Sequence, residues 1–257
     1  MFKKSLPYII TGCVLTIGGL TNVAHADTQT QTIKNSEQVQ QLTVDAPAKI
    51  VLKTGNEFKV QSKFPDQQKT KITNQDGQIK ISHPHQKHQW GIKISFNDPK
   101  SVITVTVPKN VKLTDLKINS QAADIQLDSP IQKLNIASHS GDVKIKNTNP
   151  QNLKINSESG DVNLNNSKLK TINVDSESGD IKAHDLTADD LNLNSESGDV
   201  QIINQKLASY HQVTINSDSG DVTIKNATIN QSNIDTASGE LNKTNTKIKH
   251  ADNSTDY

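Results

Sequence analysis

The sequence predicts an all-β chain: a parallel β-solenoid, β-helix-like, of about seven 19-residue coils over residues 113–249, capped by an N-terminal β module over residues 42–112. Three observations predict it. Ser-x-Ser-Gly-Asp blocks return along the second half of the chain, and recurrence at a fixed period marks a repeat architecture. Each block is flanked by short runs in which apolar and polar residues alternate, the period of a strand. No stretch carries a convincing 3.6-residue apolar period, so no helix is expected.

Residues 1–26 read as a secretory signal peptide. Lys3 and Lys4 give a positive start, Leu6 to Leu20 is apolar apart from small or hydroxyl residues, and Ala24-His25-Ala26 supplies the small residues of a cleavage site. Two rival readings are an uncleaved anchor and lipidation at Cys13, because Ile10-Thr11-Gly12-Cys13 looks like a lipobox. Cys13 comes early, however, and is followed by apolar Val14-Leu15. Cleavage removes the only cysteine and the only methionine, so the mature chain has neither a disulfide framework nor a thiolate site. Residues 27–41 are polar and expected to be flexible, frayed to about Gln38.

In the opening module, Leu42–Val44, Ala48–Leu52, Phe58–Val60, the stretch around Ile72, Ile79–Ile81, Ile92–Phe96 and Val102–Val107 read as strands. Lys53-Thr54-Gly55-Asn56, Asp76-Gly77, Asn97-Asp98-Pro99 and Pro108-Lys109-Asn110 separate them with turn-forming residues. His83, His85 and His88 stand close enough to gather a divalent metal, with Trp90 beside them. The loop holds no acid and its spacing matches no standard site, so an exposed loop is the expectation.

The repeat aligns on Ala123-Asp124, Gly141-Asp142, Gly160-Asp161, Gly179-Asp180, Gly198-Asp199, Gly220-Asp221 and Gly239-Glu240, with spacings of 18, 19, 19, 19, 22 and 19 residues. The 22-residue step points to an insertion near Ala208 to Gln212. Counting by twos from Leu153 reaches Ile155, Ser157 and Ser159, but the next apolar residue is Val162, so the alternation slips by one. A left-handed glycine at the slip would let the chain turn. Gly141, Gly160, Gly179, Gly198, Gly220 and Gly239 are therefore expected to be structural corners. Extra apolar positions such as Leu169 and Leu186 suit a further side to each coil. Coils about 4.8 Å apart would make seven rungs roughly 30 to 35 Å tall. A lone coil orders too many residues for the few aliphatics it buries, so the coils must come as a stack.

Stacking in register makes columns. Ser138, Ser157, Ser176, Ser195 and Ser217 form one, and Ser140, Ser159, Ser178, Ser197, Ser219 and Ser238 another. Both are expected to point inward and donate along internal ladders. Asp142, Asp161, Asp180, Asp199 and Asp221 line the same edge, with Glu158, Glu177, Glu196 and Asp218 beside them. Like charges at that spacing in water repel by about 0.9 kcal/mol per pair. Either each Asp accepts backbone N–H bonds at its corner, or the column is a stripe of divalent-cation sites.

Composition excludes several function classes. The mature chain sets 26 lysines against 27 acids and has no arginine, so it lacks the net positive charge that draws nucleic acid, and the usual bidentate reader of phosphate. Residues 250–257 are a polar tail, and no stable membrane span is expected after signal cleavage.

The Ser-x-Ser-Gly-Asp-Val coils, preceded by the strand Val105 to Asn110, resemble the bacterial envelope family of β-strand-repeat proteins labelled "putative adhesin", a domain of unknown function. The resemblance covers about Leu42 to Ile248. It implies a right-handed-type parallel solenoid at the cell envelope, with adhesion as the conjectured role and no catalytic residues or cofactor to carry over. The expected function is thus non-enzymatic: a secreted or cell-surface solenoid presenting Asn, Lys, Gln, Thr and Asp to an unidentified protein or polysaccharide. The alternatives are an envelope-stress accessory scaffold and a polysaccharide-acting enzyme. Against the enzyme, Tyr210 is the only aromatic residue between Leu113 and Lys249.

Overall fold

A computed structural model describes residues 27–34, 36–64, 69–83, 101–126 and 131–252. The expected signal peptide, the strand at Ile92–Phe96, most of the histidine loop and the end of the tail lie outside the described residues. The opening strands are β1 (Asp27–Thr32), β2 (Gln41–Asp45), β3 (Lys49–Gly55), β4 (Lys59–Phe64), β5 (Lys71–Gln75), β6 (Gln78–Ser82) and β7 (Val102–Pro108). The repeat supplies β8 (Leu113–Ser120), β9 (Ala122–Gln126), β10 (Ile131–Ser138), β11 (Val143–Lys146), β12 (Pro150–Ser157), β13 (Val162–Asn165), β14 (Thr171–Ser176), β15 (Ile181–His184) and β16 (Asp190–Ser195). Three long bent strands finish it: β17 (Val200–Ser217), β18 (Val222–Thr236) and β19 (Leu241–Ala251).

These strands stack as a parallel β-solenoid. On one face the neighbours run β6, β2, β8, β10, β12, β14, β16, then the second halves of β17 and β18. On the next face they run β7, β3, β9, β11, β13, β15, then the first parts of β17, β18 and β19. A third side is narrower: a parallel bridge joins Lys168 to Thr187, and further along Tyr210, Ile229 and Ile248 pair in turn. Like residues sit on like, as in the series Leu116, Leu134, Leu153, Ile172, Leu191, Val213. Strict alternation turns one side of each strand inward, and the inward aliphatics form one continuous core from Ile33 to Ile234.

The opening module joins the stack in an order that differs from the order of the chain. The coil made by β2 and β3 lies between the level of β6 and β7 and the level of β8 and β9. After β1 the chain thus enters the stack at an inner level with β2 and β3, steps outward through β4 to β7, and returns past that first coil to begin the repeat. Antiparallel strands close that end. β4 covers β7 and β1 covers β4, while β5 covers β6 across a two-residue Asp76-Gly77 turn with φ of 50° and 76°. Positive φ at both positions is the tight hairpin turn that Asp-Gly favours.

Two expectations differ from the structure. Part of the stretch read as flexible, Asp27–Thr32, is a paired strand, because the edge of β4 offers unpaired backbone groups and Ile33 and Val39 anchor the segment in the core. The insertion falls at Gln205 to Leu207, ahead of its expected place, since the register on β18 shifts between Ile203 and Ala208 and Tyr210 keeps its level opposite Ile229. At the far end Ser232 takes an inward place and β19 is largely exposed, so the core tapers there.

Candidate functional site

The repeated corners bring polar side chains together at the edge of the first face. Taking the central coils, the strand ends at Ser157, Ser176 or Ser195, the next two residues are both exposed, and the glycine that follows is buried. The alternation therefore slips at the Glu-Ser pair, one step ahead of Gly-Asp. None of the six corner glycines has a left-handed backbone; Gly77 alone among the described glycines does. The expectation of a left-handed glycine corner is corrected to one of close approach. A Cβ on Gly179 would fall into the carbonyl group of Gly160 in the coil below, and the same overlap recurs from Gly160 to Gly239. Glycine is needed because backbones stack there without room for a side chain.

The left-handed positions lie at a different corner, after the second strand of the coil. Asn147, Asn166, Asp185, Asn226 and Asn245 have φ between 47° and 56°. Asn and Asp tolerate this conformation better than other residues with a side chain. Asn204 occupies the same place in the coil with the insertion, and its φ is not positive. It is buried instead, donating from Nδ2 to the Asn226 carbonyl at 3.3 Å and accepting at Oδ1 from the Leu186 N–H at 3.2 Å. Tyr210 joins it, its hydroxyl donating to the Leu186 carbonyl at 2.9 Å. Burial pushes the Tyr210 phenol up to about 12.

The aspartate column is a ladder between coils. The N–H groups of Asp161, Asp180, Asp199 and Asp221 donate to Oδ1 of Asp142, Asp161, Asp180 and Asp199 at 3.3, 3.1, 3.0 and 2.9 Å, and Glu240 N–H donates to Asp221 Oδ1 at 2.9 Å. Lysines supply compensating charge. Lys144 Nζ stands 3.1 Å from Asp142 Oδ2, and Lys182 Nζ bridges Asp161 Oδ2 at 3.2 Å and Asp180 Oδ2 at 2.8 Å. The Lys182 ammonium holds the Asp180 carboxyl below the usual carboxylate range, against an opposing push from burial. Among the described residues no group of three or more His, Cys, Asp or Glu side chains is arranged to hold a metal ion. His83 is buried and stacks flat on Phe64.

The serines divide. Ser138, Ser157, Ser176, Ser195 and Ser217 are buried as expected, but they close their own corners: Ser157, Ser176 and Ser217 donate to the carbonyls of Gly160, Gly179 and Gly220 at 2.8 to 3.0 Å. Only Ser138 also reaches the coil below, donating to the Gln121 carbonyl at 2.9 Å. The second column, Ser140 to Ser238, is exposed, which corrects its inward reading. The bend at Glu-Ser takes it outside.

A groove of about 930 Å³ runs along this edge across successive coils. One column of its lining is Asn156, Asp175, Asn194 and Asn216; the other, two residues on, is Glu158, Glu177, Glu196 and Asp218. Asn216 Nδ2 donates to Asn194 Oδ1 at 2.8 Å, and Asn194 Nδ2 to Asp175 Oδ1 at 2.7 Å, so the amide column is itself a ladder. His139 pairs with Glu158 near one end, where Ala46, Pro47 and Ser120 close the groove. Sequence reasoning found the acids as neighbours of the corner but missed the groove and the lysine bridge. The recurring Asn or Asp one place before Ser157, Ser176, Ser195 and Ser217 was the available signal.

No curated protein matches the chain. Among solved structures, a "putative adhesin" from Bacteroides fragilis is 18% identical with a TM-score of 0.53, covering 90% of this chain and 100% of that one. A "putative lipid binding protein" from Parabacteroides distasonis is 19% identical with a TM-score of 0.49, covering 85% and 97%. The Bacteroides fragilis likeness shows the fold alone. Residues 39–214, from the first inward strand of the opening module into the coil with the insertion, match the profile of the Toastrack DUF4097 domain. The chain belongs to the Toastrack DUF4097 family.

Proposed function

We propose that this chain is a secreted or cell-surface, non-enzymatic β-solenoid that holds a partner, a protein or a polysaccharide, on its extended polar face. The observation that carries the reading is the groove, which repeats the same amide and carboxylate positions from coil to coil. Repetition at one spacing suits an extended ligand bound by many weak contacts. The description of the Bacteroides fragilis protein as a "putative adhesin" is in line with it.

The corner chemistry favours binding over catalysis. A serine nucleophile needs a hydroxyl free to pass its proton to a base. Ser138, beside His139, is instead engaged with the Gln121 and Gly141 carbonyls at 2.9 and 2.7 Å. The test is co-sedimentation of the chain from Asp27 onward with intact cells and with wall fractions. Saturable association is expected; no retention above that of an unrelated soluble protein overturns the reading.

A further inference from the structure

We propose that the free edge of β19 takes an extended, acidic segment of another protein as an added parallel strand. This goes beyond the surface-binding reading, because the site is the end of the stack and not its polar face. The two ends of the solenoid are unlike. At the opening end β4 and β1 cover β7, and β5 covers β6. At the far end β19 pairs with β18, and no strand among the described residues pairs with its other edge. A bent edge of eleven residues thus presents unpaired backbone N–H and C=O groups in a row.

The core is open under the same edge. Leu241 stands in register with Val222, Val200, Ile181, Val162 and Val143, all of them 0% exposed, yet it is itself 36% exposed. It and Leu207 are the exposed large apolar residues among the described ones. One more strand would cover Leu241 as each coil covers the one below, so the edge offers a backbone ladder and an apolar contact together.

Charge selects the occupant. From Leu241 to Ala251 the strand holds Lys243, Lys247, Lys249 and His250 and no acid. These lysines are exposed, and among the described residues none has an ion-pair partner. Lys243 takes the place that Ile224, Ile202, Ala183 and Leu164 take in the coils below, and a charge on the inward side of an edge resists pairing with like strands. A second copy is therefore disfavoured: β19 against its own twin gathers lysines with lysines, and β1 at the opposite end brings a single acid, Asp27. A strand with acids at the levels of Lys243, Lys247 and Lys249 and an apolar residue over Leu241 meets the ladder, the open core and the charge at once.

The test measures fluorescence anisotropy of the labelled peptide Val-Thr-Glu-Thr-Asn-Thr-Glu-Val-Glu, written to match Leu241 to Lys249 level by level, against the chain from Asp27 onward. Its neutral counterpart, Val-Thr-Gln-Thr-Asn-Thr-Gln-Val-Gln, is the charge control. The expected result is saturable binding of the acidic peptide, about tenfold weaker for the neutral peptide and for a chain carrying Lys243→Gln, Lys247→Gln and Lys249→Gln. A control chain carrying Lys133→Gln, Lys154→Gln and Lys170→Gln should bind as the wild type does. Leu241→Glu, a single change at the same edge, should weaken binding in the same direction and serves if the triple variant melts early. Peptide-induced amide shifts in the nitrogen-15 spectrum of the chain should concentrate between Leu241 and Ala251. Absence of binding, equal binding of the two peptides, equal loss in the two triple variants, or shifts centred on the groove would each overturn the proposal. The rival occupants would overturn it too: a dimer in sedimentation that the peptide breaks gives the edge to a second copy, and binding that arises only in a chain cut after Asp252 gives it to the chain's own tail.

Discussion

Asp199 donates its backbone N–H to Oδ1 of Asp180, one coil away, at 3.0 Å. The carboxylates of the repeat are therefore fasteners between coils, and each coil donates to the one before it. Replacing Asp180 with Ala removes the acceptor and leaves Lys182 with one carboxylate partner instead of two. A loss of about 1 kcal/mol is expected at this partly exposed site. Asp180→Asn retains an acceptor and should cost less. Urea unfolding of the three chains checks the order; equal stability of wild type and Asp180→Ala would contradict it.

The glycine corners should be less forgiving than the serines beside them. Gly179→Ala pushes a Cβ into the Gly160 carbonyl and is expected to cost about 1 to 3 kcal/mol through backbone displacement. Ser178→Ala, at an exposed position, is expected to stay within about 0.5 kcal/mol of wild type. Paired thermal melts decide this, and similar midpoints for the two variants would refute the close-approach account.

Acid and alkali should each weaken the ladder, at opposite ends of the pH range. The Asp180 pKa is lowered from 3.8 in the folded chain, chiefly by its hydrogen bond from Lys182. Its stabilisation is present above 3.8 and lost as pH falls through the folded value. The Lys182 pKa is raised from 10.5, chiefly by its hydrogen bond to Asp180, so that contribution is present below 10.5 and lost as pH rises through the folded value. Urea midpoints followed with pH should show a shallower acid fall for Asp180→Asn than for wild type. Parallel acid limbs would show that this aspartate does not contribute.

Tyr210 supports the coil that carries the insertion. Its folded pKa of about 12 lies above the ordinary 10.0, so its protonated form contributes stability below pH 10, lost as pH rises through about 12. Tyr210→Phe leaves the buried Leu186 carbonyl without this donor and is expected to cost about 1 to 3 kcal/mol. Ultraviolet titration of phenolate should find Tyr210 ionising later than a solvent-exposed tyrosine; ionisation near pH 10 would contradict its placement.

The stacked coils were legible because two signals coincide in each repeat. Alternation placed Leu153, Ile155, Val162 and Leu164 inward, and all four are buried. The parity slip announced a corner, but not its mechanism. Gly160 offers both conformational freedom and absence of a Cβ, and only the position of Gly141 beneath it shows that the second is used. The inward reading of Ser159 failed because counting by twos continued through a bend that exposes two successive residues. The permuted level of β2 and β3 was not legible, since those strands carry no repeat motif and their partners are chosen by long-range pairing. The groove was hidden for a related reason: Asp175 and Glu177 look like ordinary surface residues until register stacks them with Asn194 and Glu196.

In-register stacking is the claim on which the ladders, the groove and the binding proposal all depend. Cys13 is the only cysteine of the sequence, so a chain begun at Asp27 accepts spin labels at chosen sites alone. Ser140→Cys and Ser238→Cys place labels on the exposed serine column, with Ser159, Ser178, Ser197 and Ser219 between them. Pulsed electron paramagnetic resonance should give one narrow distance near 24 Å, five coil spacings of about 4.8 Å. A broad distribution, or a distance that does not grow in equal steps when Ser197 or Ser219 replaces Ser238 as the second site, would contradict the stack.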